Sequence, residues 1–302
     1  MKAFLHVLLI VGAFLIVAAL TVSAHPGSGI VVDERGQVFF QDSAAQTIWK
    51  IDPSGEVTAH DDKMGGHWMT LDSRAKFARS DLKLVERIAP GLVIADGGAP
   101  IAIGADGNLY YGLNILKPDK VEVGLTKILP DGRQESFAPA LAKKIENLGI
   151  TGLANGPDGN LYAACLTCVA KINPDGTFVM LTTPIVLDDC DKDAPTCFLR
   201  GLDVDSRGTV YAAACGCRCV VKITTEGQVE TLLKAEPPWS PTGVAVHRDE
   251  VYVLEYTNAN GASAEGWRPR VRKLSVDGKI ETLATISKEQ QDAQLKQRSP
   301  AK

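Results

Sequence analysis

Short apolar runs that alternate with polar positions and end in glycine turns recur along nearly the whole chain. A period of two predicts strands rather than helices. The clearest copies read GIVVDERGQVFFQD from Gly29, PIAIGADGNLYYG from Pro100, GLANGPDGNLYAAC from Gly152, GLDVDSRGTVYAAAC from Gly201 and GVAVHRDEVYVLEY from Gly243. Each continues into a basic-apolar strand and a second turn: IWKIDPSG, TKILPDG, VAKINPDG, VVKITTEG and VRKLSVDG. Glycine belongs in these turns because they need positive φ. A sixth, degenerate copy lies between the first and third: HWMTLD, KFARSD, LVERIAPG and LVIADGG. The second-turn glycines, Gly55, Gly91, Gly132, Gly176, Gly227 and Gly278, are spaced by 36, 41, 44, 51 and 51 residues. Only Ala140 to Leu148 offers a helical pattern.

Six units of four short strands, at roughly 46 residues each, match the length of a four-stranded propeller blade. The fold expected is an all-β, six-bladed β-propeller with four-stranded antiparallel blades near 29–63, 67–98, 99–139, 148–184, 198–236 and 239–286. The PDG-N-[LV]-Y and V-x-K-[IL]-x-PDG motifs resemble NHL-repeat propellers and the superfamily of gluconolactonase, regucalcin and strictosidine synthase. That resemblance spans residues 29–286 and speaks to fold, since such folds carry unrelated functions. Residues 287–302, almost without apolar content, read as a polar flexible tail.

Before the repeats, Lys2 precedes an apolar run from Ala3 to Leu20 and then Val22-Ser23-Ala24, the pattern of a signal peptide over 1–24. The propeller is then exported, secreted or periplasmic, and its mature chain starts at His25; membrane contact is expected only if that segment stays uncleaved. Composition is ordinary for a globular chain, 45% hydrophobic and 23% charged in 302 residues. The formal charge is 32 − 36 = −4 with no Lys/Arg cluster, so nucleic acid is excluded as a partner.

In a propeller, the starts of the first strands and the second-to-third-strand loops surround one mouth of the central channel. The starts are Ser28, His67, Pro100, Thr151, Arg200 and Thr242; the second strands end at Asp42, Asp81, Asn114, Cys165, Cys215 and Glu255. Glu255, His67 and Asp42 are the catalytic candidates and Arg200, Asp81 and Asn114 the binding candidates, expected within one shared pocket. Glu255 and Asp42 are also the candidate ligands of a divalent cation such as calcium. An aspartate at a strand end often only caps a turn, whereas Glu255, in the otherwise apolar VYVLEY, needs a partner if buried. The resemblance implies a Glu-Gly-Pro start to the first blade and a Pro-Asn-Gly start near the last. This chain has Gly27-Ser28-Gly29 and Ser240-Pro241-Thr242-Gly243 instead. Similar lyases place several histidines at the mouth, where here only His67 stands; His60 and His247 lie elsewhere.

All seven cysteines fall between residues 165 and 219. Superposing LYAACLTCVAKI on VYAAACGCRCVVKI aligns Cys165 with Cys215 and Cys168 with Cys219. In an exported chain the default is disulfides. The simplest pairing is Cys165 with Cys168, Cys190 with Cys197 and Cys215 with Cys219, leaving Cys217 free at a hairpin tip beside Arg218; other pairings, or a metal or redox site, stay open.

Two functions compete. The first is a binding propeller holding a small molecule, glycan or protein at the channel mouth. The second is a metal-dependent hydrolase or lyase of the lactonase type. The missing family ligands favour the first.

Overall fold

The computed structural model describes residues 26–61, 67–72, 85–88, 91–95, 99–187, 190, 198–259 and 266–298. It is an all-β propeller of four-stranded antiparallel blades, each a meander in chain order. Among the described residues five such blades are present, not the six expected. The first comprises β1 (Ile30–Val32), β2 (Val38–Asp42), β3 (Thr47–Ile51) and β4 (Val57–Asp61). A sheet of β5 (Trp68–Leu71), β6 (Val85–Ile88) and β7 (Leu92–Ala95) follows. Next come β8 (Ile101–Ile103), β9 (Leu109–Leu116), β10 (Val121–Ile128) and β11 (Gln134–Ser136). After helix α1 (Pro139–Lys144) stand β12 (Gly152–Asn155), β13 (Leu161–Cys165), β14 (Cys168–Ile172) and β15 (Phe178–Met180). The fifth sheet holds β16 (Leu199–Val204), β17 (Val210–Ala214), β18 (Cys219–Ile223) and β19 (Val229–Lys234). The last blade is β20 (Trp239–His247), β21 (Glu250–Thr257), β22 (Pro269–Leu274) and β23 (Ile280–Thr285), followed by helix α2 (Lys288–Arg298).

The departure falls on the degenerate repeat. Its sheet has three strands in the order β5-β7-β6. β7 is four consecutive buried apolar residues, LVIA, and a strand buried on both faces belongs beside the innermost strand. β6 (VERI) carries two charges and pairs on its outer side. The expected second strand, KFARSD, lies outside the described residues.

The innermost strands β1, β5, β8, β12, β16 and β20 pack in a closed ring, each against the next and β20 against β1. Among the described residues six buried clusters fill the six seams between neighbouring sheets. Burial therefore drives sheet-to-sheet packing around the ring rather than a single central core. In three blades an acid, a tyrosine and a lysine of the motif meet at the end away from the mouth. Tyr162 donates to Asp158 at 3.0 Å and Lys171 pairs with the same carboxylate at 2.6 Å. Tyr110, Asp106 and Lys127 repeat the arrangement in the preceding blade, and Tyr252, Glu250 and Lys273 in the last. Burial raises the Asp158 pKa, but Lys171, Asn160 and Tyr162 outweigh it and hold the group at about 2.

Both helices differ from expectation. α1 begins one residue before Ala140 and ends at Lys144, with Pro139 in its first turn and Leu141 buried. Within the polar C-terminal stretch, read from the sequence as a flexible tail over 287–302, Lys288–Arg298 form a helix. A capping box starts it: Ser287 Oγ accepts from the Gln290 amide at 3.3 Å, and the Ser287 amide donates to Gln290 Oε1 at 2.9 Å. No helix among the described residues is long and apolar enough to cross a membrane.

Candidate functional site

The first strands converge so closely at the mouth that three of their starts, Gly152, Gly201 and Gly243, admit only glycine. A Cβ on Gly243 would stand 2.3 Å from the Ser28 carbonyl oxygen, and one on Gly152 2.5 Å from that of Arg200. Hydrogen bonds between blades then knit the rim. The amides of Ser28 and Gly29 both donate to the His67 carbonyl at 3.0 Å, and Thr242 Oγ1 donates to Gly27 O at 2.9 Å. Arg200 Nη1 reaches Pro26 O at 3.1 Å. His67 and Arg200 thus stand at the mouth and help close it.

The two candidate carboxylates lie in different seams and are both engaged by buried donors. Asp42 is 1% exposed. Its oxygens accept from the Ala45 amide (3.1 Å), Trp49 Nε1 (3.2 Å) and, at 3.0 Å to each oxygen, Gln291 Nε2 of α2. Burial raises its pKa against those donors. Glu255 is fully buried on the fifth-blade side of the last blade. Arg270 Nε and Arg272 Nε both donate to its Oε2, the latter at 3.0 Å, and Arg272 Nη2 to its Oε1. Asn114 spends its amide on Ile150, donating to its carbonyl at 2.7 Å and accepting from its amide at 2.8 Å. Asp81 lies outside the described residues.

A bound cation at Asp42 and Glu255 does not fit this arrangement. The two carboxylates lie in different seams, each turned to its own donors, and no group of three or more His, Cys, Asp or Glu residues that could hold a metal occurs among the described residues. Among the described residues, two arginines bracket Trp239 at the mouth. Arg218 Nη1 donates to Trp239 O and Ser240 Oγ, both at 3.3 Å, and the Arg270 guanidinium lies 4.2 Å over the Trp239 ring. Sequence reasoning had attached Arg218 only to a thiol and missed Arg270 and Arg272. Their signal was the period-of-two PRVRK beside VYVLEY, which sets two cations on the face of one glutamate.

Below the mouth the channel encloses about 270 Å³ lined by all six innermost strands. Asp203 faces it, accepting from the amides of Val246 (2.7 Å) and Val204 (2.9 Å). Burial pushes its carboxyl up to about 6, against those two amides. It was hidden in GLDVD, where an alternating aspartate reads as solvent-facing.

The cysteines depart from the expected pairing. Cys190 is bonded to Cys217, 27 positions on and with Cα atoms 4.4 Å apart, not to Cys197, which lies outside the described residues. Cys217 is buried rather than free at an exposed tip, because a 3-10 turn at Cys215–Cys217 folds the loop inward. Cys165, Cys168, Cys215 and Cys219 are thiols. Cys165 and Cys168 are direct register partners across a two-residue turn. Their mutual hydrogen bond raises the first thiol and lowers the second, and Lys144 adds to the lowering. Cys219 faces Ala214, one residue short of Cys215. That one-residue offset places Cys215 in the seam with the last blade, where burial raises its pKa against Arg200 and Arg218.

No protein-family model and no curated protein matches this chain. Solved structures do. A gluconolactonase from Xanthomonas campestris aligns at 14% identity and TM-score 0.55 over 76% of this chain and 83% of that one. A luciferin-regenerating enzyme aligns at 18% and 0.56 over 87% and 95%. The aldose sugar dehydrogenase of Streptomyces coelicolor aligns at 14% and 0.55 over 86% and 95%. At such identities the likeness is one of architecture: the chain shares the β-propeller fold of the gluconolactonase-like enzymes.

Proposed function

We propose that this chain is an exported, NHL-type propeller that holds a small molecule, glycan or protein at its channel mouth without transforming it. In this reading the three-stranded sheet counts as the second of six blades. The observation that carries it is that the buried Asp42 and Glu255 are each engaged by donors of their own seam, so neither candidate carboxylate is placed at the mouth to act as a base or to ligate a metal. The runner-up, a metal-dependent hydrolase or lyase, draws on fold alone. The deciding experiment is a thermal-shift screen of small molecules and glycans on the mature protein, run with an assay of lactone and ester hydrolysis, with and without chelator. Stabilisation by a ligand that stays intact, unchanged by chelator, is the expected result. Turnover of a lactone or ester that chelator abolishes would replace this reading with the hydrolase.

A further inference from the structure

The channel narrows toward the mouth, where the inner strands touch: a Cβ on Gly201 would stand 2.8 Å from the Gly243 Cα. Beyond that contact it widens into the cavity of about 270 Å³, room for on the order of nine waters. The cavity reaches Val32, Leu71, Ile103, Asn155 and Val246, toward the strand ends away from the mouth. Each inner strand pairs with its own blade on one side only, so its free edge turns backbone N–H and C=O groups inward. Among the described residues that line the cavity, Asp203 alone is ionisable. Its carboxylate accepts from the amides of Val204 and Val246, and no lysine, arginine or histidine pairs with it among the described residues. Two accepted bonds leave a carboxylate, with about four lone-pair sites, able to accept more. On the flanking elements, Asp205 is engaged by Arg207 and Tyr211, His247 ends β20, and β12 (GLAN) carries no ionisable side chain; none of these groups lines the cavity. A carboxylate withdrawn from bulk water without a counter-charge is costly, and the fold keeps this one beside open space.

A metal ion suits this place poorly, since calcium takes roughly six to eight oxygen ligands and no group of three or more metal-holding side chains occurs among the described residues. An ammonium group needs less: one carboxylate and two carbonyls meet its three N–H bonds. The aliphatic side chains of Val31, Ile103, Leu153 and Val244 line the same cavity and suit a short carbon chain. We propose that the half of the channel away from the mouth is a second binding site, in which Asp203 and the edge carbonyls of the inner strands hold the ammonium group of a small aliphatic amine. The site lies apart from the mouth, so it goes beyond the function proposed there and is tested by itself.

The test follows the methyl resonances of protein labelled with 13C-methyl methionine. Met69 lines the cavity, and its signal is identified by Met69→Leu. n-Butylammonium chloride is titrated at pH 7.5, with n-butanol as the neutral control of equal length, sodium chloride as the control for ionic strength and calcium chloride as the metal. The expected result is a saturable shift of the Met69 resonance with butylammonium and none with butanol or sodium chloride. Asp203→Asn keeps an oxygen for the amides and removes the charge, and should raise the midpoint about tenfold or more. Butylammonium stays charged at pH 4.5 whereas Asp203, titrating at about 6, does not, so acidification to pH 4.5 should raise the parent's midpoint by about tenfold or more and leave that of Asp203→Asn in place. If Asp203→Asn fails to fold, the pH series carries the same comparison. Absence of a saturable shift with butylammonium, an equal response to butanol, or a midpoint unmoved by pH or by the folded Asp203→Asn variant overturns the inference. A calcium midpoint below that of butylammonium, lost in Asp203→Asn, would replace the amine with a metal ion.

Discussion

Glu255 and Asp42 look alike in the sequence, each a carboxylate at the end of an apolar second strand, and their surroundings give both a structural part. Removing Glu255 would leave Arg270 and Arg272 facing each other without their shared anion. Breaking one side of a buried ion pair typically costs about 3 kcal/mol or more. Glu255→Ala should therefore lower stability by that order in urea denaturation, and a loss below about 1 kcal/mol would show that solvent already screens the group. Asp203 gives the opposite sign. Its folded pKa, about 6, lies above the unfolded value, so the folded state binds more protons between about pH 4 and pH 6 and loses stability as pH rises through that window. Asp203→Asn should stabilise the protein by on the order of 1 kcal/mol above pH 6, the gain vanishing near pH 4. Denaturation at pH 4 and pH 7.5 measures the difference.

At the scale of the element, most strands were legible because alternation and glycine turns are local signals, and the tyrosine, acid and lysine of the repeat act within one hairpin. Asp158→Asn removes one such clip. Because the folded Asp158 pKa is depressed to about 2, its contribution is present above the unfolded value near pH 4 and fades as pH falls toward 2. The variant should be less stable than the parent at pH 7 and converge with it only below about pH 2. What escaped the sequence depends on distant partners. The order β5-β7-β6 is set by what each strand packs against, and α2 is fastened by one glutamine, Gln291, whose partner Asp42 lies 249 positions away. The capping box at Ser287 and Gln290 was the local sign of that helix. The Cys190–Cys217 bond has no local sign, since nothing in the spacing marks a loop folded inward at Cys217. It closes a loop of 27 positions, for which chain entropy predicts a loss of about 3 kcal/mol on Cys217→Ala. Peptide mapping without reduction should recover the Cys190 and Cys217 peptides joined; a Cys190–Cys197 peptide instead would restore the original pairing.

At the scale of the molecule, the first and last blades are each built from one continuous segment, so side chains rather than a shared strand close the ring. The Tyr256 hydroxyl donates to the Gln41 carbonyl and accepts from the Ser43 amide at 3.3 Å, while α2 lies over the same seam through Gln291. Tyr256→Phe leaves the Gln41 carbonyl and Ser43 amide without that hydroxyl and should cost about 1–3 kcal/mol. Ending the chain at Ile286 should expose Asp42 and lower the melting temperature by several degrees, with Trp49 and Trp267 reporting the opened seam by fluorescence. A truncated protein that melts with its parent would show that the packed core of the seam suffices.

The closing seam also fixes how the molecule is presented to its surroundings. Pro26 touches Arg200, so the chain enters the first blade across the mouth itself. Anything joined upstream, whether a membrane anchor or an affinity tag, therefore shares a face with the channel mouth and crowds its approaches. A tether there would turn the mouth toward whatever surface holds it and leave the opposite face, with its tyrosine and lysine clips, looking outward.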